Sequence, residues 1–124
     1  MNETRFNQII KNMTGKKIGV LGDYFLDLYF SLDRSLSELS LETNLEAFQV
    51  DGISAQSGAA GVVAKNLASQ GAQVSAFAVI GDDGFGYELQ QSLINNQINV
   101  DSVVSGEEVF TPTYIKPMMK ELTC

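Results

Sequence analysis

Apolar residues recur along this chain in two rhythms. Phe6, Ile9, Ile10 and Met13 fall at helical spacing, and Thr14-Gly15 reads as the stop that follows. The short continuous run Ile18–Leu21 in "KKIGVLGD" predicts a buried strand, with Gly22-Asp23 at its C-terminal edge. "YFLDLYF" (Tyr24–Phe30) is apolar except for Asp27. Ser31–Asn44 scatters leucines among polar residues with no period and predicts a loop or irregular segment. Glu46–Val50 alternates, so Leu45–Ser54 predicts a half-exposed strand.

"SGAAGVVAKNLASQG" (Ser57–Gly71) predicts a helix opened by small residues and closed at Gly71, with Val62, Val63, Ala64 and Leu67 on its buried faces. Ala72–Gly81 is the plainest strand, β-branched and apolar between two glycines. Asp82–Ile98 reads as a turn and then a helix with Leu89, Leu93 and Ile94 inward. Asn99–Val104 predicts a short strand. Val109–Met119 predicts another, which Pro112 and Pro117 confine to an edge. Strands alternating with helices predict an α/β fold with a parallel sheet and helices on its faces.

Composition narrows the classes. With 124 residues, 44% hydrophobic and 19% charged, the chain can build one cored domain. Eight Lys and Arg against 15 Asp and Glu leave a net charge of −7, which argues against nucleic acid as the partner. No apolar run of about 18 residues predicts a membrane span. No signal-peptide pattern opens the chain, and a cytoplasmic location is expected. The one cysteine is Cys124, so no internal disulfide can form. There is no histidine, which removes Ser-His-Asp triads and the common zinc sets.

In open α/β sheets ligands collect at the C-terminal ends of strands. Those ends carry Gly22, Asp23 and Asp27 after the first strand, and Gly81, Asp82 and Asp83 after a later one. Asp23 reads either as a cap or as a site residue. Asp27 lies between Leu26 and Leu28, where a charge needs a partner, and is the stronger ligand candidate. "GDDGFG" (Gly81–Gly86) matches neither the dinucleotide nor the Walker spacing, and reads as a strand-to-helix turn capped by Asp82 or Asp83.

Taken in order, "VLGDYFLD", "SGAAGVVAKNLASQGAQVSAFAVIGDDGFG" and "TPTYIKPM" resemble the PfkB (ribokinase-like) family of carbohydrate kinases from about Lys16 onward. Gly58, Ala60, Ala64, Gly71 and Gly81 fall on its N-terminal signature, and "TPTYIKPM" is similar to the strand entering its lid. Gly-Asp-x-x-x-Asp at Gly22–Asp27 is most similar to the bacterial heptose-phosphate kinases. The resemblance implies a ribokinase-like three-layer sandwich, a parallel sheet with flanking helices, of which residues 1–124 would form the N-terminal half with part of a β lid, a single incomplete domain. It implies phosphoryl transfer from ATP to a sugar hydroxyl, with Mg2+, in the full-length family. Asp27 would bind sugar hydroxyls, Gly58, Ala59 and Ala60 would form a turn where backbone meets sugar, and Asp23 would either touch the substrate or support a residue that does. The substrate class implied is a small-molecule sugar or sugar phosphate.

Two departures bear on this. Ala59 stands for the signature's second glycine and Val62 for its asparagine, which removes a hydroxyl-binding side chain. The family's Gly-Ala-Gly-Asp segment, which holds its catalytic base and anion hole, does not occur in these residues. The chain alone is therefore expected to be inactive, with no catalytic residue of its own and no tight binding of ATP or Mg2+. A homodimer, or pairing through an exposed sheet edge, is expected. A stand-alone α/β module that binds a ligand or partner without chemistry is the second reading. A Rossmann-like nucleotide binder fits less well, because the glycine pattern is wrong.

Overall fold

The computed structural model describes residues 1–120; Cys124 lies outside them. Helix α1 (Glu3–Met13) starts at Asn2, whose side chain accepts a 2.8 Å hydrogen bond from the Arg5 N–H. Glu3 in its first turn and Lys11 in its last complement the helix dipole. Gly15, at φ 78°, takes the left-handed turn that ends the segment. No residue of α1 is buried, and Phe6, Ile9 and Ile10 face solvent.

Strands β1 (Lys17–Leu21), β4 (Gln73–Gly81) and β5 (Val103–Gly106) form a parallel sheet in the order β1-β4-β5. Helices α2 (Ala60–Ser69) and α3 (Gly84–Asn95) cover one face of it. Ala64, Leu89 and Leu93 pack there with Val74, Ala76 and Ile80 in one core. The strands alternate, so their other face carries Leu21, Phe77, Val79 and Val104, all exposed; Leu21 is 84% exposed. Parallel sheets normally bury both faces, and the described residues cover one.

The remaining strands build a second sheet. β2 (Tyr24–Leu39) and β3 (Glu46–Ala59) form an antiparallel hairpin, and β6 (Thr113–Met119) joins β2 in parallel, giving the order β3-β2-β6. β2 belongs to both regions. Tyr24, Leu26 and Leu28 point into the core shared with α2, α3 and β4, Phe30 packs against it, and the strand becomes mostly exposed from Arg34 on.

Several sequence expectations change here. Ser31–Leu39 is strand, not loop, because Ser31–Asp33 and Glu38–Leu39 pair with β3 although the segment lacks an apolar face. The strands do not all join one parallel sheet, since the β2–β3 pair is antiparallel. Helix α2 begins at Ala60 rather than Ser57, because Ser57–Ala59 finish β3. Its buried residues are Gly61 and Ala64, with Leu67 half-buried, whereas Val62 and Val63 are exposed. A Cβ at Gly61 would collide with Ser57, so the helix sits too close to β3 for larger side chains on that face. Ile94 is also exposed. Asn99 makes only an isolated bridge to Ser75, and β5 begins at Val103. β6 begins after Pro112 and is an edge strand, as expected, with Pro117 in it.

Candidate functional site

Alternation along β2 sends Asp27 to the side away from the core, with Phe25 and Tyr29. The register of the three strands builds the rest of that face. Asp27 stands opposite Gln56 of β3 and Tyr114 of β6; Tyr29 stands opposite Ser54 and Lys116. Phe25 stands opposite Gly58, whose missing side chain leaves room for the Phe25 ring. That ring meets the Tyr114 ring edge-on, with centroids 5.0 Å apart.

The Lys116 ammonium lies 2.7 Å from Oδ1 of Asp27. It also lies 5.0 Å from the centroid of the Tyr29 ring and donates a 3.4 Å hydrogen bond to the Tyr29 hydroxyl. The Asp27 side chain is 16% exposed and Oδ1 itself is sealed from solvent. The contact is a close ion pair, and no other polar group among the described residues reaches Oδ1. The same pairing raises the Lys116 ammonium above the ordinary lysine value, against a smaller opposing effect of desolvation.

Of the residues expected in the site, the structure brings Asp27 and Gly58 onto one face of one sheet, two register positions apart. Asp23 lies exposed just before β2; its carbonyl accepts a 3.0 Å hydrogen bond from the Ala60 N–H, which ties the two turns together. Ala59 ends β3 at φ 47°, ψ −113°, a region L-residues rarely adopt, and Ala60 opens α2. Val62 is exposed in the first turn of α2. Lys116, Tyr29 and Tyr114 were not among the expected residues. The alternation of Tyr114, Lys116 and Met118 in "TYIKPMM" was the available signal, but their partner Asp27 is far away in sequence.

The loop "GDDGFG" is a turn. Asp83 caps α3: its Oδ1 accepts from the Gly86 N–H at 2.7 Å and its Oδ2 from the Thr111 N–H at 2.9 Å. Partial burial pushes the Asp83 carboxyl up, but hydrogen bonds from Thr111, Gly86 and Phe85 together outweigh this and hold it below the ordinary aspartate value. A Cβ on Gly86 would collide with the Gly81 carbonyl, and one on Gly81 with the Val109 carbonyl, so these two glycines serve close packing. A carboxylate at the helix N-terminus repels phosphate. This loop therefore does not fit ATP, and no cluster of three metal-ligating side chains occurs among the described residues.

A groove of about 670 Å³ lies on the opposite face of β2 from Asp27. Leu28, Phe30, Ala55 and Phe85 line it, with Asp83 and Glu88 as its charged members.

The pattern of the pfkB family carbohydrate kinases matches residues 31–116. The chain belongs to this family. The match includes Gly58–Ala60 and Lys116; Asp23 and Asp27 precede it. Among curated relatives, the bifunctional protein HldE of Sulfurimonas denitrificans is 34% identical over 100 residues, 81% of this chain and 20% of that protein. The bifunctional protein HldE of Coxiella burnetii (strain RSA 331) is 39% identical over 83 residues, 67% of this chain and 17% of that protein. Among solved structures, a carbohydrate kinase from Agrobacterium tumefaciens superposes with a TM-score of 0.62 at 21% identity, covering 84% of this chain and 32% of that one. This pfkB-family chain thus spans about a fifth of its curated relatives and a third of that neighbour. Its fold is ribokinase-like: the parallel sheet and its helices, with β2, β3 and β6 as lid strands.

Proposed function

We propose that this chain is the sugar-binding portion of an ATP-dependent carbohydrate kinase, inactive by itself. The observation that carries the reading is the mostly buried Asp27 carboxylate on the open face of the lid sheet, beside Tyr114 and Gln56. A carboxylate there accepts hydrogen bonds from sugar hydroxyls, and an aromatic ring beside it offers apolar surface to the C–H face of a sugar. Ala59 and Ala60, next to Asp23, would form the small-residue wall of the same site, with Gly58 beneath the Phe25 ring. The substrate would be a small sugar or sugar phosphate.

ATP and Mg2+ would be held by parts of the fold that these residues do not supply, since the Gly81–Gly86 loop is closed to phosphate. Phosphoryl transfer depends on positioning and on stabilising phosphate charge; the described residues would position the sugar and leave the phosphate charge to other parts of the fold. A cytoplasmic setting, where ATP is at hand, suits this role. The bare face of the β1–β4–β5 sheet would be covered by a second copy or by further kinase-fold chain.

The test has two parts. Purified 124-residue protein is assayed for ATP-dependent phosphorylation of a panel of aldoses, ketoses and their phosphates, and no turnover above background is expected. The same panel is titrated into isotopically labelled protein and followed by NMR. Shifts clustered at Asp27, Gln56 and Tyr114 support the reading. Turnover, or shifts confined to the groove at Phe30 and Phe85, would count against it in favour of a self-sufficient enzyme or a non-catalytic binding module.

A further inference from the structure

The ion pair on the lid face joins two strands that the chain brings together over 89 positions, Asp27 on β2 and Lys116 on β6. The two oxygens of Asp27 are not equivalent. Oδ1 is sealed from solvent and lies against the Lys116 ammonium. Oδ2 takes no hydrogen bond among the described residues, and with Oδ1 sealed the 16% exposure of the side chain lies outside Oδ1.

Lys116 is held in turn. Its ammonium sits over the Tyr29 ring and donates to the Tyr29 hydroxyl, and Tyr29 lies two residues along the same strand from Asp27. Three groups on two adjacent strands thus fix one another. An aspartate on an open sheet face would otherwise turn about its side-chain torsions, and ordering it on ligand binding would cost affinity. A charge partner fixed on the next strand removes that freedom beforehand.

We propose that Lys116 is a positioning residue for Asp27: it pins the inner oxygen and leaves the outer one directed to the open face, ready to accept from the adjacent hydroxyls of a polyol. The inference rests on the reading that Asp27 binds sugar hydroxyls, and it adds a residue and a geometry to it. Lys116 itself touches no ligand in this arrangement. Its charge is spent on Asp27, so a neutral sugar profits from it as much as an anionic one.

The experiment uses the 124-residue protein with three substitutions, Lys116→Met, Lys116→Arg and Asp27→Asn, each checked for the wild-type fold by its amide NMR spectrum. Each is titrated with the panel sugar that gives the largest shifts in the wild type and with its neutral or phosphorylated counterpart. Asp27→Asn is expected to weaken binding about tenfold or more, the usual effect of losing a charged hydrogen-bond acceptor. Lys116→Met is expected to weaken it about fivefold to tenfold for the neutral and the anionic sugar alike. Lys116→Arg, which keeps the charge, is expected to restore most of the loss. A further readout is independent of any sugar: Asp27→Asn should lower the titration midpoint of the Lys116 side chain toward that of an ordinary lysine.

Unchanged or tighter binding in Lys116→Met, with Asp27→Asn still defective, would overturn the positioning role and leave the sugar reading standing. A loss in Lys116→Met confined to the phosphorylated sugar would also overturn it, because the lysine would then be meeting the ligand. Wild-type affinity in Asp27→Asn, or no panel sugar bound by the wild type, would overturn the sugar reading and this inference with it. A Lys116→Met variant that loses the wild-type spectrum would make the lysine a folding requirement and overturn the proposal if Lys116→Arg is equally unfolded.

Discussion

The carboxylate of Asp83 accepts hydrogen bonds from the Gly86 N–H on its own helix and from the Thr111 N–H, 28 residues further along the chain. Thr111 is fully buried, and its hydroxyl accepts in turn from the Gly81 N–H at 2.9 Å. Next to it, the Pro112 carbonyl accepts from the Leu26 N–H. One turn therefore joins the end of β4, the start of α3 and the entry to the lid. Asp83→Ala removes the cap and orphans the Thr111 N–H. It is expected to cost about 1–3 kcal/mol, read from urea denaturation.

The same contacts set a pH dependence. A carboxyl held below its ordinary value stabilises the fold above the unfolded-state value, near pH 4, and that stabilisation is lost as pH falls through the lowered folded-state value. Asp83→Asn keeps a capping side chain and removes the titration. Below pH 4, the stability of Asp83→Asn should fall less steeply than that of the wild type in a denaturation series. Parallel curves would show that Asp83 carries no such linkage.

Two glycines in this turn should respond in opposite ways to alanine. A Cβ at Gly84 meets nothing within 4 Å, so Gly84→Ala is expected to gain about 0.5 kcal/mol by stiffening the unfolded chain. A Cβ at Gly86 would strike the Gly81 carbonyl and approach Thr111 Oγ1 at 2.9 Å. Gly86→Ala is expected to cost about 3 kcal/mol. Thermal melts of the two variants make the comparison.

Ala59 is strained where its family's signature has glycine. At φ 47°, ψ −113°, its Cβ opposes a backbone that glycine adopts freely. Ala59→Gly is expected to stabilise the protein by about 1 kcal/mol, and Ala59→Val to destabilise it by more than that. Equal melting temperatures for all three would contradict the strain.

The bare sheet face should govern self-association. Leu21 and Val79 are exposed apolar residues on it and take no part in the core. Replacing both with lysine is expected to leave the melting temperature within a few degrees and to raise the monomer fraction in light scattering. An unchanged distribution would shift attention to the lid edges.

The sequence announced some of this architecture directly. β4 shows as a β-branched run between glycines, with Val74 and Ile80 buried, and α3 shows through Asp83 and the spacing of its buried Leu89 and Leu93. In α2 that link breaks: the close approach to β3 is made by Gly61 and Ala64, so the exposed Val62 and Val63 mislead. The outer half of β2 was illegible for the converse reason. Its residues are mostly exposed, and a strand held by backbone pairing alone leaves no hydrophobic period. Asp27 stood out as a charge in an apolar run; its counter-ion depended on a parallel register between β2 and β6 that local patterning does not record.

β2 also has breaks in its pairing with β3, between Ser31 and Leu32 and between Asp33 and Glu38. Before the first break the strand is clamped on both sides, with Leu26, Leu28 and the Lys116 pair fixed against their neighbours. Beyond the second, only the hairpin partner holds it. The strand is therefore built as a cantilever: held on both sides as far as Leu32, where β6 ends, and on one side from Glu38 to its tip, with Asp27 near the fixed root.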